Sequence, residues 1–474
     1  MTEICDRPFC ACSTPGGVSG IAVIRMSGNG STEVADKVMK VLRSYKDLTK
    51  ISDMEGYTCC LAKVFDPKTN EKIDDSIVTV FKAPNSYTGD DMVEISCHGG
   101  VTVKQEILRV LIENGARPAE PGEFTKRAFL NGKLDLSQAE AVMNVIASDS
   151  TRALKAGNAQ LSGALKTALS EVESKFYEAL SLIEMMVEFP EHDDTPENTS
   201  KVKEICLFVR NELTGLKDSY AKGRILSERM RIALCGLPNS GKSSLLNSLT
   251  GYDRAIVTEV AGTTRDTLEV NVEVNGIPVT LVDTAGIRKT DDKIEAMGVQ
   301  RAKEESYQSD LVLYLVAPDV SFEQIISQIK GLIDEGTSVS SMAVVFSKSD
   351  LGKNAFEEKI TEECKGLGID MFLSISSVEK ICLEELKSFI EERYENLGGT
   401  TSSETVLLNR RHALLIEESL NYLDMGINAL DDEMGLDCAS SVLRLALDKM
   451  GEITGKSVSS ELVDNIFSRF CIGK

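Results

Sequence analysis

The sequence predicts a multidomain chain combining α/β and all-α parts: an N-terminal α/β domain, a discontinuous helical domain, and a second α/β domain inserted into it. Three observations predict this. The 474 residues exceed what a single core holds, which implies two to four domains. Residues 230–395 alternate apolar strands with helical stretches, as in an open α/β sheet. Helical sequence flanks that block on both sides, and domain termini commonly lie close together, so an insertion is the simplest account.

Taken in order, residues 18–26 read as a buried strand ending in the Ser27-Gly28 turn. Further strands are expected near 57–65, 76–82 and 91–97, with a helix over 101–114. Residues 1–119 thus form a small α/β domain. A different texture begins near Pro121. Ser137-Gln138-Ala139-Glu140 fits a capping box, in which Ser137 accepts a backbone N–H and Glu140 reaches back. From there to Phe189 no proline intervenes, so at least two helices run until Pro190 and an acidic loop, Glu191 to Ser200. Another helical stretch, 201–222, completes the first part of the helical domain, 120–225. The inserted domain is 226–396. Gly398 to Ser403 reads as a flexible connector, and 397–474 is helical again.

Hydrophobic content of 42% with 27% charge is ordinary for a globular protein, and no run of eighteen apolar residues is long enough to span a membrane. Met1 to Cys12 carries neither a signal-peptide core nor an Arg-rich transit pattern, so the expected location is cytoplasmic. The twelve cysteines are scattered, without C-x-x-C spacing, and read as reduced thiols. A net charge of −22 argues against a broad nucleic-acid-binding surface, because backbone phosphates need Lys and Arg. A nucleic-acid substrate would need a local basic patch or a basic partner.

The inserted domain carries the sharpest chemistry. The apolar strand Arg231–Cys235 runs into Gly236-Leu237-Pro238-Asn239-Ser240-Gly241-Lys242-Ser243, and a helix follows. Backbone N–H groups of such a loop wrap phosphates at a helix N-terminus. Lys242 supplies a cation to the β/γ-phosphates and Ser243 a hydroxyl to Mg²⁺. Strand 277–282 ends in Asp283-Thr284-Ala285-Gly286, where Asp283 suits the Mg²⁺ water shell and the Gly286 N–H the γ-phosphate. Gly262-Thr263-Thr264-Arg265-Asp266 offers a threonine to the metal. Strand 342–346 ends in Ser347-Lys348-Ser349-Asp350. The Asp350 carboxylate accepts guanine N1–H and the N2 amino group, which adenine does not offer, and Lys348 stacks its stem on the base. GTP is therefore favoured over ATP, and the domain reads as a Ras-like P-loop G domain. Ser376 and Ser377 supply the last guanine loop. GTPases usually carry Asn where Ser347 stands. Serine is shorter, so the tie between base pocket and P-loop is expected to be lost and affinity to be weaker.

Ras-like enzymes orient the attacking water with a Gln after the switch glycine. That position is Ile287 here, so either hydrolysis is very slow or another residue positions the water. Glu295 lies in the switch II segment and is a candidate, although a solvated face of a charged helix is the alternative.

The loop Gly236 to Ser243, Gly262 to Asp266, the helical flanks and the terminal Phe470-Cys471-Ile472-Gly473-Lys474 resemble the MnmE (TrmE) family of tRNA wobble-uridine modification GTPases, from near residue 8 to the last residue. The resemblance implies K⁺ in place of an arginine finger, with ligands at Asn239, Thr258, Val260 and Thr263, and activation by dimerisation of two G domains. It implies Mg²⁺ at Ser243 and Thr264, and Glu295 as the catalytic glutamate. The implied nucleotide contacts are Asn239, Ser240, Gly241, Lys242, Ser243 and Ser244; Thr258, Glu259, Val260, Ala261, Gly262, Thr263 and Thr264; Asp283, Thr284, Ala285 and Gly286; and Ser347, Lys348, Asp350, Ser376 and Ser377.

At the chain ends, Cys471 also has the position of a prenylation box, but Gly473 and a terminal Lys do not fit one. The resemblance makes Cys471 essential for modification and makes the N-terminal domain folate-binding. Arg25, Glu94, Lys133 and Lys474 are then the tetrahydrofolate contacts, Arg and Lys for glutamate carboxylates and Glu94 for pterin donors. On the residues alone, Arg25 ends a strand, Glu94 faces out of one and Lys133 sits in a turn; His98 reads as structural. The implied activity adds a carboxymethylaminomethyl or aminomethyl group to uridine C5 in tRNA, with a one-carbon unit from tetrahydrofolate. A homodimer is implied, joined in a heterotetramer by MnmG (GidA), which brings FAD and uses NADH and would supply basic surface. A switch GTPase for ribosome or membrane assembly, doing no chemistry of its own, would show the same G-domain motifs. It would not need Arg25, Glu94, Lys133 or Cys471.

Overall fold

The computed structural model describes residues 7–44, 46, 48–148, 150–188, 196–227, 229–250, 268–283, 309–399, 407–431 and 435–473. It divides into two compact units. Met1–Ile146, Gln160–Leu213 and Leu414–Lys474 form one, and Ala147–Ala159 with Thr214–Ala413 form the other.

The first unit is built on a seven-stranded sheet. Its strands are β1 (Phe9–Cys12), β2 (Ile21–Ser27), β3 (Met39–Ser44), β4 (Thr58–Phe65), β5 (Lys72–Phe81), β6 (Met92–His98) and β7 (Arg117–Pro118), in the order β3-β4-β5-β6-β2-β1-β7. Period-two alternation makes it two-faced. Ala22, Ile24 and Met26 of β2, with Val78, Val80, Val93 and Ile95, point to one side. There they pack on Val34 of helix α1 (Ser31–Val38) and on Ile107, Val110 and Leu111 of α2 (Val101–Glu113). The other residues of β2, Ile21, Val23 and Arg25, lie on the opposite face, so a one-residue slip would bury Arg25 in the core. The expected strands and helix are all present. Those missed are β1, β3, β7 and α1, which are short and carry little periodic signal. Arg25 does not end its strand: β2 continues to Ser27.

Helices follow: α3 (Glu123–Leu130), α4 (Leu136–Ala147), α5 (Thr151–Leu161), α6 (Ala164–Glu188) and α7 (Pro196–Ser227). The capping box at the start of α4 lies two residues earlier than expected. The Asp135 carboxylate accepts the Gln138 backbone N–H at 2.8 Å, and the Gln138 side-chain oxygen accepts the Asp135 N–H at 3.1 Å. Ser137 is not the cap; its hydroxyl donates to the same Asp135 oxygen at 2.7 Å. A carboxylate competes better than a hydroxyl for N-terminal amides, since it also meets the helix dipole. Asp135→Ala is expected to lower unfolding stability by about 1 kcal/mol, read as a drop in chemical-denaturation midpoint, while Ser137→Ala shifts it far less. Helix α7 begins at Pro196, inside the segment expected to be loop; proline at the first helical position gives up only an N–H that has no partner there.

The second unit holds a six-stranded sheet of β8 (Met230–Cys235), β9 (Leu268–Val274), β10 (Ile277–Asp283), β11 (Leu311–Val316), β12 (Met342–Phe346) and β13 (Met371–Ser374), in the order β13-β12-β11-β8-β10-β9. All pairs are parallel except the β9–β10 hairpin at the edge. Such a sheet is covered on both faces, and β8 is apolar from Ile232 to Cys235 for that reason. Ile232 and Leu234 face α8 (Lys242–Thr250) and α11 (Leu383–Tyr394), while Ala233 and Cys235 face α9 (Phe322–Asp334) and α10 (Glu357–Gly366). Glu395–Gly399 continues α11 as a wider π-helical turn, so the connector read from Gly398 onward begins inside structure.

The last helices are α12 (Arg410–Asp431), α13 (Leu436–Thr454) and α14 (Ser460–Ser468). In the first unit α13 lies along α6, and the Lys456 ammonium just past α13 meets Glu173 at 2.5 Å. Val463, Phe467 and Phe470 pack on Leu136 and Ala139 of α4 and on Phe129 of α3. Among the described residues no helix is long and apolar enough to cross a membrane.

Candidate functional site

Ligands of open α/β sheets bind at the carboxyl ends of the strands. β8, β10, β12 and β13 all end at that edge in the second unit, and each end carries one of the nucleotide motifs. The P-loop leaves β8 at Gly236, whose φ is 133°. A Cβ there would stand 2.4 Å from the Leu315 carbonyl oxygen of the neighbouring strand, so only glycine fits. Asn239 is held in a left-handed conformation at φ 63° and is exposed, as are Ser243 and Ser244 on the first turn of α8. Lys242 is buried. Its ammonium donates to the Gly236 and Leu237 carbonyls at 2.8 Å each and lies 3.3 Å from the Ser240 hydroxyl. A buried cation is thus held by the loop's own carbonyls and the Ser240 hydroxyl.

On the base side, Asp350 follows β12 and its carboxylate accepts the Ser376 hydroxyl at 2.5 Å. Ser376, fully buried after β13, also accepts the Glu379 N–H at 3.1 Å, so its rotor is fixed and Asp350 is fixed by it. The Ser377 carbonyl accepts the Ser248 hydroxyl of α8 at 2.8 Å, tying this loop to the P-loop helix. Lys348 takes a left-handed turn at φ 55°. Ser347 overturns the expectation attached to it. Its hydroxyl donates to the Ser240 carbonyl at 2.6 Å, so the base strand and the P-loop are tied after all. The shorter side chain reaches because the end of β12 runs close to the loop: a Cβ added at Gly241 would stand 3.5 Å from the Ser347 Cβ, in ordinary contact.

Several expected residues lie outside the described ones: Thr258, Glu259, Val260, Ala261, Gly262, Thr263, Thr264, Thr284, Ala285, Gly286, Ile287, Glu295 and Lys474, together with the Asp283 side chain.

In the first unit Arg25 and Glu94 are directly opposed across β2 and β6, and the Arg25 Nε donates to the Glu94 carboxylate at 2.6 Å. The guanidinium carbon also sits 5.7 Å from the centre of the Tyr87 ring, a cation–π contact that sequence reading missed. Tyr87 is anchored in turn by Thr125, its hydroxyl 2.9 Å from the threonine's. Its segment reaches Lys133, whose ammonium donates to the Pro84 carbonyl at 3.1 Å. Residues 84–87 therefore bridge Arg25 and Lys133. The contact with Glu94 uses one N–H of the Arg25 fork and one Glu94 oxygen, which leaves donors and an acceptor at the same spot. His98, read as structural, donates or accepts through Nδ1 with Asp74 at 2.7 Å, and its backbone N–H donates to the other oxygen of Asp74 at 2.9 Å.

The C-terminal tail docks on this domain. Ile472 bridges to Pro121, the Gly122 N–H donates to the Cys471 carbonyl at 3.3 Å, and the Ser13 hydroxyl donates to the Gly473 carbonyl at 2.9 Å. Gly473, at φ 91°, lies so close that a Cβ would stand 2.5 Å from the Cys12 carbonyl oxygen. Ala11 is the cross-strand partner of Arg25. Ser13 is two residues on, about 7 Å along the strand, so the tail is anchored one step from the Arg25–Glu94 pair. Nothing in the sequence marks Ser13 for this role. Cys471 itself is exposed, whereas burial pushes the Cys10 thiol up to about 12. Brief alkylation of the native protein is expected to label Cys471 and spare Cys10, by peptide mass spectrometry.

Two family models match the chain: the GTP-binding protein TrmE N-terminus over residues 8–133 and the MnmE helical domain over residues 136–471. The chain belongs to the MnmE family. Proteins named tRNA modification GTPase MnmE match it along nearly their whole lengths. That of Lactobacillus acidophilus is 38% identical over 98% of this chain and 97% of its own. That of Carboxydothermus hydrogenoformans is 38% identical over 99% of this chain and all of its own length (100%). That of Staphylococcus haemolyticus is 36% identical over 98% of each. As an MnmE-family member the chain carries in one polypeptide the P-loop of the second unit and, in the first, the Arg25–Glu94 pair of the domain on which the tail docks.

Proposed function

We infer that this chain is a GTP-hydrolysing enzyme of tRNA wobble-uridine modification, and that its two sites divide the work. The observation that carries the reading is the docking of Cys471–Gly473 on the domain that holds Arg25 and Glu94, with Gly473 bonded to Ser13 two residues along from the strand partner of Arg25. A switch GTPase has no use for an exposed thiol on a tail docked to a domain that carries a charged pair. The domain division that fits this reading is 1–119, 120–225 with 397–474, and 226–396.

In the G domain, Asp350 takes the guanine donors and Lys242 with the loop amides holds the phosphates. Ser243 offers its hydroxyl to Mg²⁺, which neutralises phosphate charge when bound. Its exposed place on the first turn of α8 fits that role. The exposed Asn239 fits one ligand of a K⁺ ion, the others being Thr258, Val260 and Thr263. Glu295 would orient the attacking water in place of the glutamine that Ile287 lacks. In the N-terminal domain, the Arg25 fork and Lys133 would bind folate carboxylates and the second Glu94 oxygen the pterin donors, with Lys474 beside them.

The face of the seven-stranded sheet away from α1 and α2 exposes Ile21 and Ile77, at 67% and 52%, with Val18 beside them at 84%. Such a strip supports burial in a homodimer. At a net charge of −22 the chain leaves tRNA phosphates to a basic partner, in the role of MnmG with its FAD and NADH.

The test is direct. Purified protein is expected to bind radiolabelled tetrahydrofolate saturably, and Arg25→Ala to weaken it about tenfold or more. GTP hydrolysis is expected to be stimulated by K⁺ and not by Na⁺. No saturable folate binding, together with normal tRNA modification in a Cys471→Ser strain, would sink the enzyme reading. Equal hydrolysis in both salts would remove the K⁺ site.

A further inference from the structure

Ser347 is the place where the nucleotide site departs from what its motif leads one to expect. Guanine offers two edges. Its N1–H and N2 amino group are donors, and N7 and O6 are acceptors. A side chain that both ties the base strand to the P-loop and meets N7 needs two protons to give. Asparagine has them in its amide; serine has one.

The single Ser347 proton is committed. Its oxygen stands 2.6 Å from the Ser240 carbonyl and 3.1 Å from the Val316 carbonyl, and both are backbone acceptors inside the protein. The side chain is buried at 4% exposure, so no rotation frees it without leaving the Ser240 carbonyl unpaired. The Ser347 N–H is also taken, by Val316 at 2.8 Å. Asp350 and its Ser376 support are intact on the other edge of the base site.

We propose that Ser347 is a positioning residue which keeps the P-loop in place and leaves guanine N7 unread, so that this GTPase accepts nucleotides altered at N7. The substrate class is guanine nucleotides with the Watson–Crick edge intact, whether or not position 7 offers an acceptor. This rests on the assignment of Asp350 to the guanine donors, and the experiment separates the two.

Binding of GTP, 7-deaza-GTP and ITP to the full chain is measured by calorimetry in Mg²⁺ and K⁺. ITP lacks the N2 amino group and 7-deaza-GTP lacks the N7 acceptor. The expected result is 7-deaza-GTP within twofold of GTP, and ITP about tenfold weaker or more. In Ser347→Asn the second amide proton becomes available, and GTP should then be preferred over 7-deaza-GTP by about three- to tenfold. A wild-type protein that discriminates against 7-deaza-GTP fivefold or more overturns the proposal, with no variant needed. ITP at parity with GTP sinks the Asp350 assignment instead. Ser347→Ala provides the positioning readout: GTP affinity falls through the loosened P-loop while the GTP to 7-deaza-GTP ratio stays near one. A ratio that moves in Ser347→Ala would mean the hydroxyl touches the base, and would also overturn it.

Discussion

Asp350→Asn is expected to exchange GTP for XTP as the preferred substrate. The carboxylate accepts two donors from guanine, N1–H and the N2 amino group. An asparagine amide turns one of those acceptors into a donor, which then faces the guanine amino group. Xanthine carries an oxygen in place of that amino group and accepts the new N–H. The exchange is clean because the side chain is held from behind. Ser376 donates its hydroxyl to Asp350 at 2.5 Å, and an asparagine carbonyl accepts the same bond. Ser376 is fully buried and also accepts the Glu379 N–H, so it does not follow the change. A site built to hydrogen-bond a group rejects an analogue lacking it by about 10⁴-fold at the extreme. At this exposed carboxylate the loss in GTP kcat/KM is expected to reach about 100-fold, with XTP turnover rising above GTP turnover. Side-by-side kcat/KM values for the two nucleotides decide it. Unchanged preference for GTP would mean that the base is read elsewhere.

How much of this was legible in the sequence depends on how local the determining physics is. The strands β8, β10 and β12 were readable because a doubly covered strand is apolar along its whole length, as in Ile232–Cys235. The P-loop was readable because its glycines and Lys242 serve a backbone geometry that few sequences satisfy; the 2.4 Å that would separate a Cβ at Gly236 from the Leu315 carbonyl oxygen is that geometry made explicit. The expected Ser137 capping box missed its position because Ser-x-x-Glu and Asp-x-x-Gln overlap by two residues, and only the stronger acceptor decides which closes. The short elements β1 and α1 hold too few residues to show a period. Long-range partners were beyond reach altogether. The pairing of Ser13 with Gly473 spans nearly the whole chain, and Tyr87 beneath Arg25 depends on how the segment after β5 folds back. Ser347 is the instructive failure. Side-chain length alone argued that its tie to the P-loop was lost, whereas the base strand runs close enough to the loop for the hydroxyl to reach the Ser240 carbonyl at 2.6 Å.

Lys242→Met is the second large effect expected. The thioether side chain follows lysine's path but ends one atom short of the ammonium, with no charge and no donor. In the protein the ammonium lies among the carbonyls of Gly236 and Leu237 and the Ser240 hydroxyl, all at the mouth of α8. That position serves two purposes. The cation neutralises carbonyl oxygens that would otherwise repel phosphate, and it stands ready for charge that develops on the β/γ-phosphates during cleavage. Removing a preorganised donor of this kind costs about 10²- to 10³-fold in turnover, so GTP hydrolysis should fall at least about 100-fold in kcat. Arginine is not expected to rescue it, because a buried site shaped around an ammonium has no room for the planar fork. The fold should survive: β8 and α8 are held by Ile232, Leu234, Leu245 and Leu249, which the change does not touch. Circular dichroism and the melting midpoint check that point. Single-turnover hydrolysis checks the chemistry, and a rate within fivefold of the unmodified protein would place the phosphate-facing cation on another residue.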